Sequence, residues 1–357
     1  MKLPNRIFSG SFSEGHVQGI AIDAERGYVY YSFTTVFVKA DLDGRIIGTV
    51  EQLAGHLGCI TLDRDSGAVY GSLEFKHDVI GMGIVGRTGR ALADEDAFYL
   101  VKFDTALIDR VGMNAERDGV MRAVYLRDVI EDYSATDSLD GRAHRYGCSG
   151  IDGVALGPIF GEAPDSEPKL MVAYGIYRES DRSGNDYQLI LRFDRSVFDL
   201  YARPLNQASP HHSGPESAEA RYFFYTGNTT FGVQNLEYDP HSRNWFVAVY
   251  PGQKEDFENF RMFAIDGRVP ASTSELEGRG GEVGLVLASA EIGANGRDPR
   301  IFGSHFRWGS TGMASLGDGF FYFSEDGRMP EEKLFFTNIV KYRYSPESPE
   351  LFERVEG

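Results

Sequence analysis

Apolar and polar positions along the chain fall into one unit that recurs five times: a small or polar turn, a glycine, a brief apolar run, a second turn, and a more aromatic run. The copies are 15–23 followed by 28–31, 55–63 followed by 68–70, 148–156 followed by 170–174, 231–239 followed by 245–250, and 310–318 followed by 320–323. A third run echoes at 38–41, 101–104, 191–194, 260–264 and 339–342, and a fourth at 45–50, 121–129, 221–226, 282–288 and 351–355. Asp and Gly mark the turns between runs, as at Asp41, Gly44, Asp266 and Gly267. Five units of four antiparallel strands predict an all-β five-bladed propeller, one domain over 1–357. The blades fall at roughly 14–53, 54–130, 147–227, 230–290 and 308–357. Residues 1–13, with a strand at 6–12, close or cover the ring, which removes an exposed sheet edge.

A double-sheet sandwich built from the same strands is the rival architecture. It gives no reason for a glycine and a polar group before each apolar run, whereas strands converging on one axis leave room only for small residues. The unequal unit lengths predict loops at 81–96, 104–117, 162–169, 206–220 and 326–333.

Composition adds exclusions. Lys and Arg number 36 against 53 Asp and Glu, a net charge of −17, and no basic patch is visible. The expectation is a protein with neither a nucleic-acid nor a membrane partner. Two cysteines, Cys59 and Cys148, make no disulfide framework and are expected as small buried residues. No apolar leader opens the chain and no run approaches the ~18 residues of a membrane span, so a cytoplasmic location is expected.

The blade geometry predicts where function lies. The a-to-b and c-to-d turns are short and rich in Asp and Gly, while most longer connections are d-to-a or b-to-c and share the opposite face. The site is expected at the axial mouth on that decorated face. Inner-strand starts point His16, Gln18, His56, Asp152, Gln234, Asn235 and Thr311 at the axis. The b-to-c connections add Lys76, His77, Arg178, Arg182 and Lys254, with Tyr174, Tyr177, Tyr187 and Tyr250 as ring-stacking or core residues. His16, His56, Asp152 and His77 are the candidate proton-transfer groups. Gln18, Gln234, Asn235 and Thr311 are candidate binders of hydroxyl groups, and the Lys and Arg residues a cationic rim for an anionic group. Each also has a bland reading as a cap, a backbone partner or a solvated charge. The insertion carrying His211 and His212 is a candidate cover for the mouth. No cofactor is fixed by the sequence; one divalent metal ion at the axial pore is the candidate.

With these residues in place, the chain resembles at fold level the β-propeller carbohydrate-active enzymes: the five-bladed glycoside hydrolases and the larger propeller polysaccharide lyases. The hydrolases imply carboxylates on three inner strands, whereas His16 and His56 hold the first two positions here and Asp152 the third. The lyases imply a cation beside a uronate and a His or Tyr that removes the C5 proton. The resemblance implies an enzyme cleaving a glycosidic bond in a small anionic saccharide. The alternatives are a non-enzymatic sugar- or protein-binding propeller and a metal-dependent lactonase or phosphoesterase.

Overall fold

A computed structural model describes residues 3–227 and 229–356. The chain is a five-bladed β-propeller. Blade 1 pairs Val17–Asp23, Tyr28–Phe33, Val36–Asp41 and Ile46–Glu51 in order, and blade 2 pairs His56–Leu62, Val69–Phe75, Ala97–Phe103 and Met121–Tyr125. Blade 3 holds Gly150–Gly157, Lys169–Gly175, Tyr187–Phe193 and Ala220–Tyr225; blade 4 holds Val233–Asp239, Asn244–Val249 and Met262–Asp266. Blade 5 begins with Met313–Ser315, Phe320–Met329 and Leu334–Tyr344. Each innermost strand neighbours the innermost strands of the blades before and after it, and Met313–Ser315 returns to Val17–Asp23, so the ring closes.

Aromatic, alternating runs form these strands because each sheet buries both faces against its neighbours. Five apolar clusters result, one between each adjacent pair of blades. Between blades 1 and 2, Phe37 stacks on Phe103 with ring centroids 4.1 Å apart. Between blades 4 and 5, Phe246 meets Phe321 edge-on at 5.2 Å. The axis is crowded as the repeated glycine implied: a Cβ on Gly19 would lie 2.7 Å from the Ile60 backbone nitrogen of the next blade. Cys59 and Cys148 are both buried and unpaired.

Closure uses both ends of the chain. Arg6–Phe12 pairs antiparallel with Leu334–Tyr344, Arg6 opposite Val340, and Phe352–Arg354 pairs with the far end of the same strand, Tyr342 opposite Arg354. The last blade thus combines early and late strands, which locks the ring without leaving a bare edge.

The structure corrects four sequence expectations. The run at 282–288 is not the outer strand of blade 4. Val283–Val286 instead adds in parallel to the outer edge of blade 3, with Tyr222 opposite Leu285. Its apolar Leu285 and Val286 find burial there against the clusters on either side of blade 3. The edge of blade 4 is covered by short bridges, Ile265 to Ser289 and Met262 to Ser304. The run at 121–129 ends as a strand at Tyr125, and Arg127–Ser134 is a helix that buries Val129 and Tyr133. The expected loop at 326–333 is the tip of a long hairpin, since pairing continues to Met329 opposite Leu334. The insertion at 81–96 begins with a helix, Val79–Thr88, capped by the Asp78 side chain and ended at Gly89. Among the described residues, no helix is long and apolar enough to cross a membrane.

Candidate functional site

Four inner strands carry an irregularity at the same place. Register slips between Val17 and Gly19, Leu57 and Ile60, Ile151 and Val154, and Val233 and Asn235. The residues at the slips include Gln18, Asp152 and Gln234. A bulge bends its strand and re-aims a side chain, and here all three line a cavity of about 720 Å³ at the decorated end of the axis. Most of the remaining lining comes from d-to-a and b-to-c connections, among them Thr34, Ser149, Arg178 and Tyr250, with His56, Glu74 and Phe335 from strands.

His56 and Asp152, distant in sequence, meet in the floor. His56 is paired across its sheet with Glu74, and its Nδ1 lies 3.3 Å from Glu74 Oε1 and 3.6 Å from Asp152 Oδ1. Glu74 is buried and doubly anchored: Oε1 is 2.5 Å from Lys76 Nζ, and Oε2 accepts from the Ile151 N–H at 3.0 Å. Gly150 permits this approach, since at φ +136° a Cβ there would fall 2.0 Å from Glu74 Oε2. Lys76 Nζ also donates to the Ser149 carbonyl at 2.7 Å, so its ammonium holds the floor together.

These neighbours set the charges. Burial alone would raise Glu74, but the Lys76 charge and His56 hold its carboxyl below the usual range. Burial opposes the Lys76 ammonium, and Glu74, Asp78 and Asp152 together raise it above its ordinary value. Asp152 goes the other way: burial, reinforced by the Glu74 charge, pushes it up to about 6 against His56, Lys76 and the Gln234 hydrogen bond. Gln234 Nε2 donates to Asp152 Oδ2 at 3.2 Å. The floor thus holds one locked carboxylate and one carboxyl that titrates near neutrality.

His16 lines the same cavity among different neighbours. Burial pushes it down to about 4, with His56 and Arg87 adding and Asp326 opposing, so the ring is neutral at pH 7. Gln18 Nε2 donates to Nδ1 at 2.7 Å. The proton therefore sits on Nε2, which donates to Tyr250 Oη at 3.3 Å. Burial and the nearby Asp152 and Asp326 charges raise Tyr250, which keeps its own O–H as a donor.

Two guanidinium groups complete the mouth. Arg87, on the helix Val79–Thr88, and Arg178 both line the cavity, and neither has a carboxylate within ion-pair distance among the described residues. Arg178 stacks on Tyr177, 4.9 Å from the ring centroid, and has φ +59°, a strained backbone for a non-glycine residue. The guanidinium groups of Arg87 and Arg178 have no carboxylate partner among the described residues and can offer donors to an anionic group.

The other expected residues lie elsewhere. Arg182 is buried but drawn into an ion-pair network, 3.1 Å from Asp137 and 2.8 Å from Asp140. Lys254 Nζ donates to the Arg182 carbonyl at 2.7 Å and to Asn185 Oδ1 at 2.9 Å. Neither lines the cavity, because buried acceptors nearby capture both cations. Asn235 Nδ2 donates to the Gln18 and Ser310 carbonyls at 2.9 and 3.2 Å, which ties inner strands together. Thr311 Oγ1 donates to Asp326 Oδ1 at 3.0 Å. His77 is 42% exposed, outside the lining, with Nδ1 3.0 Å from Asp96. The loop 206–220 packs on blade 2, where the Tyr125 N–H donates to the Ser213 carbonyl at 2.9 Å, and does not cover the mouth.

No protein-family model matches the chain, and no curated protein matches it in sequence. Solved structures similar in outline are themselves distant. The apo soluble aldose sugar dehydrogenase from Escherichia coli aligns over 96% of this chain and 99% of its own, at 10% identity and a TM-score of 0.39. The holo PQQ domain of pyranose dehydrogenase from Coprinopsis cinerea aligns over 91% and 93%, at 10% identity and 0.35. The Dos1 propeller aligns over 91% and 78%, at 7% identity and 0.31. At these scores none assigns a residue, a cofactor or an activity to this chain.

Sequence reasoning passed over Glu74 and Arg87. Glu74 and Lys76 stand two apart at the end of a buried strand, and such spacing sets an acid and a base on one face. Arg87 had a helical signature: Asp78 before, Gly89 after, and Ile80, Ile84 and Arg87 on one stripe between.

A metal ion has one place to bind among the described residues. His56, Glu74 and Asp152 each offer a ligand atom, all within 4.8 Å of one another. His56 Nδ1 and Asp152 Oδ1 are buried without a hydrogen bond of good geometry. Lys76 already sets a positive charge against the Glu74 oxygen that would coordinate.

Proposed function

We propose that this protein is an enzyme that cleaves a small uronate-containing saccharide at the axial mouth by β-elimination. The carrying observation is a histidine backed by two carboxylates in the same cavity as two arginines that have no carboxylate partner among the described residues. Arg87 and Arg178 bind the uronate carboxylate and draw off the negative charge that develops when the adjacent carbon loses a proton. His56 takes that C5 proton on Nε2, and the imidazolium formed rests against Glu74 and Asp152. The C4–O4 bond breaks as the C4–C5 double bond forms. Tyr250, held by the neutral His16, returns a proton to the departing O4.

Hydrolysis by two carboxylates fits less well. Glu74 has both oxygens engaged, by Lys76 and by Ile151, and is too deeply buried to attack a sugar carbon. Its nearest oxygen lies within 4.8 Å of Asp152, closer than the ~6.5–9.5 Å an inverting pair needs around a water. The experiment is a survey of uronate-containing oligosaccharides for an unsaturated product detected by ultraviolet absorbance. Cleavage giving only saturated products would replace elimination by hydrolysis, and no cleavage of any member would leave a binding propeller.

A second reading has its own observation. The His56, Glu74 and Asp152 cluster would hold a divalent cation that takes over charge neutralisation at the substrate. It requires Lys76 to yield its place beside Glu74. One equivalent of metal in the purified protein, lost on His56→Ala, would establish it.

A further inference from the structure

Above its charged floor the cavity changes character. Val79, Ile80 and Ile84 of the helix Val79–Thr88, with Ile176, Phe231 and Phe335 from the next three blades, form an apolar wall around the polar groups. The wall is contributed by four separate segments, so it is a property of the assembled mouth and not of one loop. Phe231 is fixed edge-to-face by Tyr177 and Tyr250, both at 5.8 Å. Val79 is 76% exposed and Met82 beside it 49% exposed, and apolar exposure at the rim of a polar cavity marks a contact surface.

A saccharide alone uses only the aromatic part of such a wall. Sugar rings rest on flat aromatic faces such as those of Phe231 and Phe335 and present hydroxyls at their edges, whereas the branched side chains of Val79, Ile80, Ile84 and Ile176 offer neither stacking nor hydrogen bonds. At about 720 Å³ the cavity also lies in the range of sites for drug-sized ligands, with room beyond one sugar ring. We infer that the ligand is an amphiphilic anion: a uronate that carries its cleaved sugar at O4 and an apolar aglycone, alkyl or aryl, at C1, the aglycone seated between the helix Val79–Thr88 and Phe335. This rests on the anionic-sugar reading above and narrows its substrate class to uronate-containing saccharides with an apolar aglycone at C1.

The test is calorimetric binding to the full chain, which needs no turnover. The probes are hexyl and methyl uronides of gluco and galacto configuration, with neutral hexyl glucoside and galactoside as controls. The hexyl uronide of the preferred configuration is expected to bind at least tenfold more tightly than its methyl counterpart, since methylene burial strengthens binding progressively. It should also bind at least tenfold more tightly than the neutral hexyl glycoside. The double variant Ile80→Ser, Ile84→Ser is expected to erase the hexyl advantage while retaining methyl uronide affinity, which shows that the fold survives. Equal affinity for hexyl and methyl uronides overturns the inference and leaves the anionic-sugar reading standing. Failure of every uronide to bind overturns both, whereas tight hexyl uronide binding supports the inference, and the elimination is judged separately on uronates that carry a sugar at O4.

Discussion

The propeller has two axial mouths built from the same inner strands, and they differ in what their charges do. At the far mouth a cavity of about 340 Å³ is lined by Ile22, Leu62, Leu156 and Tyr238 with the turns between first and second strands. Those turns repeat one device. Asp23 accepts from the Arg26 N–H at 2.9 Å, Asp63 from the Asp65 N–H at 3.2 Å, and Asp239 from the Ser242 N–H at 2.9 Å. Arg64 donates to the Ser315 carbonyl at 2.8 Å, and Glu237 accepts from the Ser315 N–H at 2.8 Å. At the near mouth each blade contributes a different group, and Arg87 and Arg178 have no carboxylate partner among the described residues. A feature that recurs from blade to blade closes turns; a feature that differs between blades, with open hydrogen-bonding capacity, is available to a ligand.

The sharpest way to break this contrast is to remove the base. His56→Ala is expected to lower kcat by about 10³ with the fold intact, within the usual span for a positioned acid–base group. Retention of full activity on any cleaved uronide would take His56 out of the chemistry. Asp152 sharpens the same point through pH. Its carboxyl, near 6 in the folded protein, must be ionised to support the imidazolium, so activity is expected to fall as pH drops through about 6. Asp152→Asn should be weakly active and lack that limb of the profile.

Lys76→Met separates architecture from binding. It strands the buried Glu74 carboxylate without its cation, and breaking a buried pair costs roughly 3–5 kcal/mol. Denaturant unfolding would register this directly, and a change under 1 kcal/mol would mean that Glu74 is neutral in the fold. Arg178→Ala, away from any ion pair, should leave stability unchanged and weaken uronide binding by about tenfold, more so at low salt.

The far mouth is expected to change stability and not activity. Burial pushes Glu237 up to about 8, against the Ser315 N–H bond and the Arg64 charge, from an ordinary value of 4.5. The folded state then keeps a proton that the unfolded chain releases, so stability falls as pH rises from about 4.5 to 8 and levels off above. Glu237→Gln is expected to flatten that slope while leaving uronide cleavage untouched. A variant with the wild-type slope would show that Glu237 is ionised throughout.

Much of this was legible in the sequence because the fold repeats. The five glycine-led runs located the inner strands, and the turn lengths indicated which face to examine. That reasoning brought His16, Gln18, His56, Lys76, Asp152, Arg178 and Gln234 to one lining. It did not separate a cation facing the cavity from one facing a neighbour, so Arg182 and Lys254, each captured by buried acceptors, read the same as Arg178. Parallel addition of Val283–Val286 to blade 3 was not legible, since strand pairing across units leaves no periodic signal in a single run. His16 and His56 occupy equivalent positions and still meet different partners, Gln18 and Tyr250 for the first and Glu74 and Asp152 for the second, which only folding supplies.

A crystal structure of the His56→Ala protein soaked with a uronate-containing disaccharide tests the central claim most directly. The account predicts the saccharide in the near mouth, its carboxylate on Arg87 and Arg178 and its C4–O4 bond facing Tyr250. A saccharide seated in the far mouth, or on the outer face of a blade with the near mouth filled only by solvent, would contradict it.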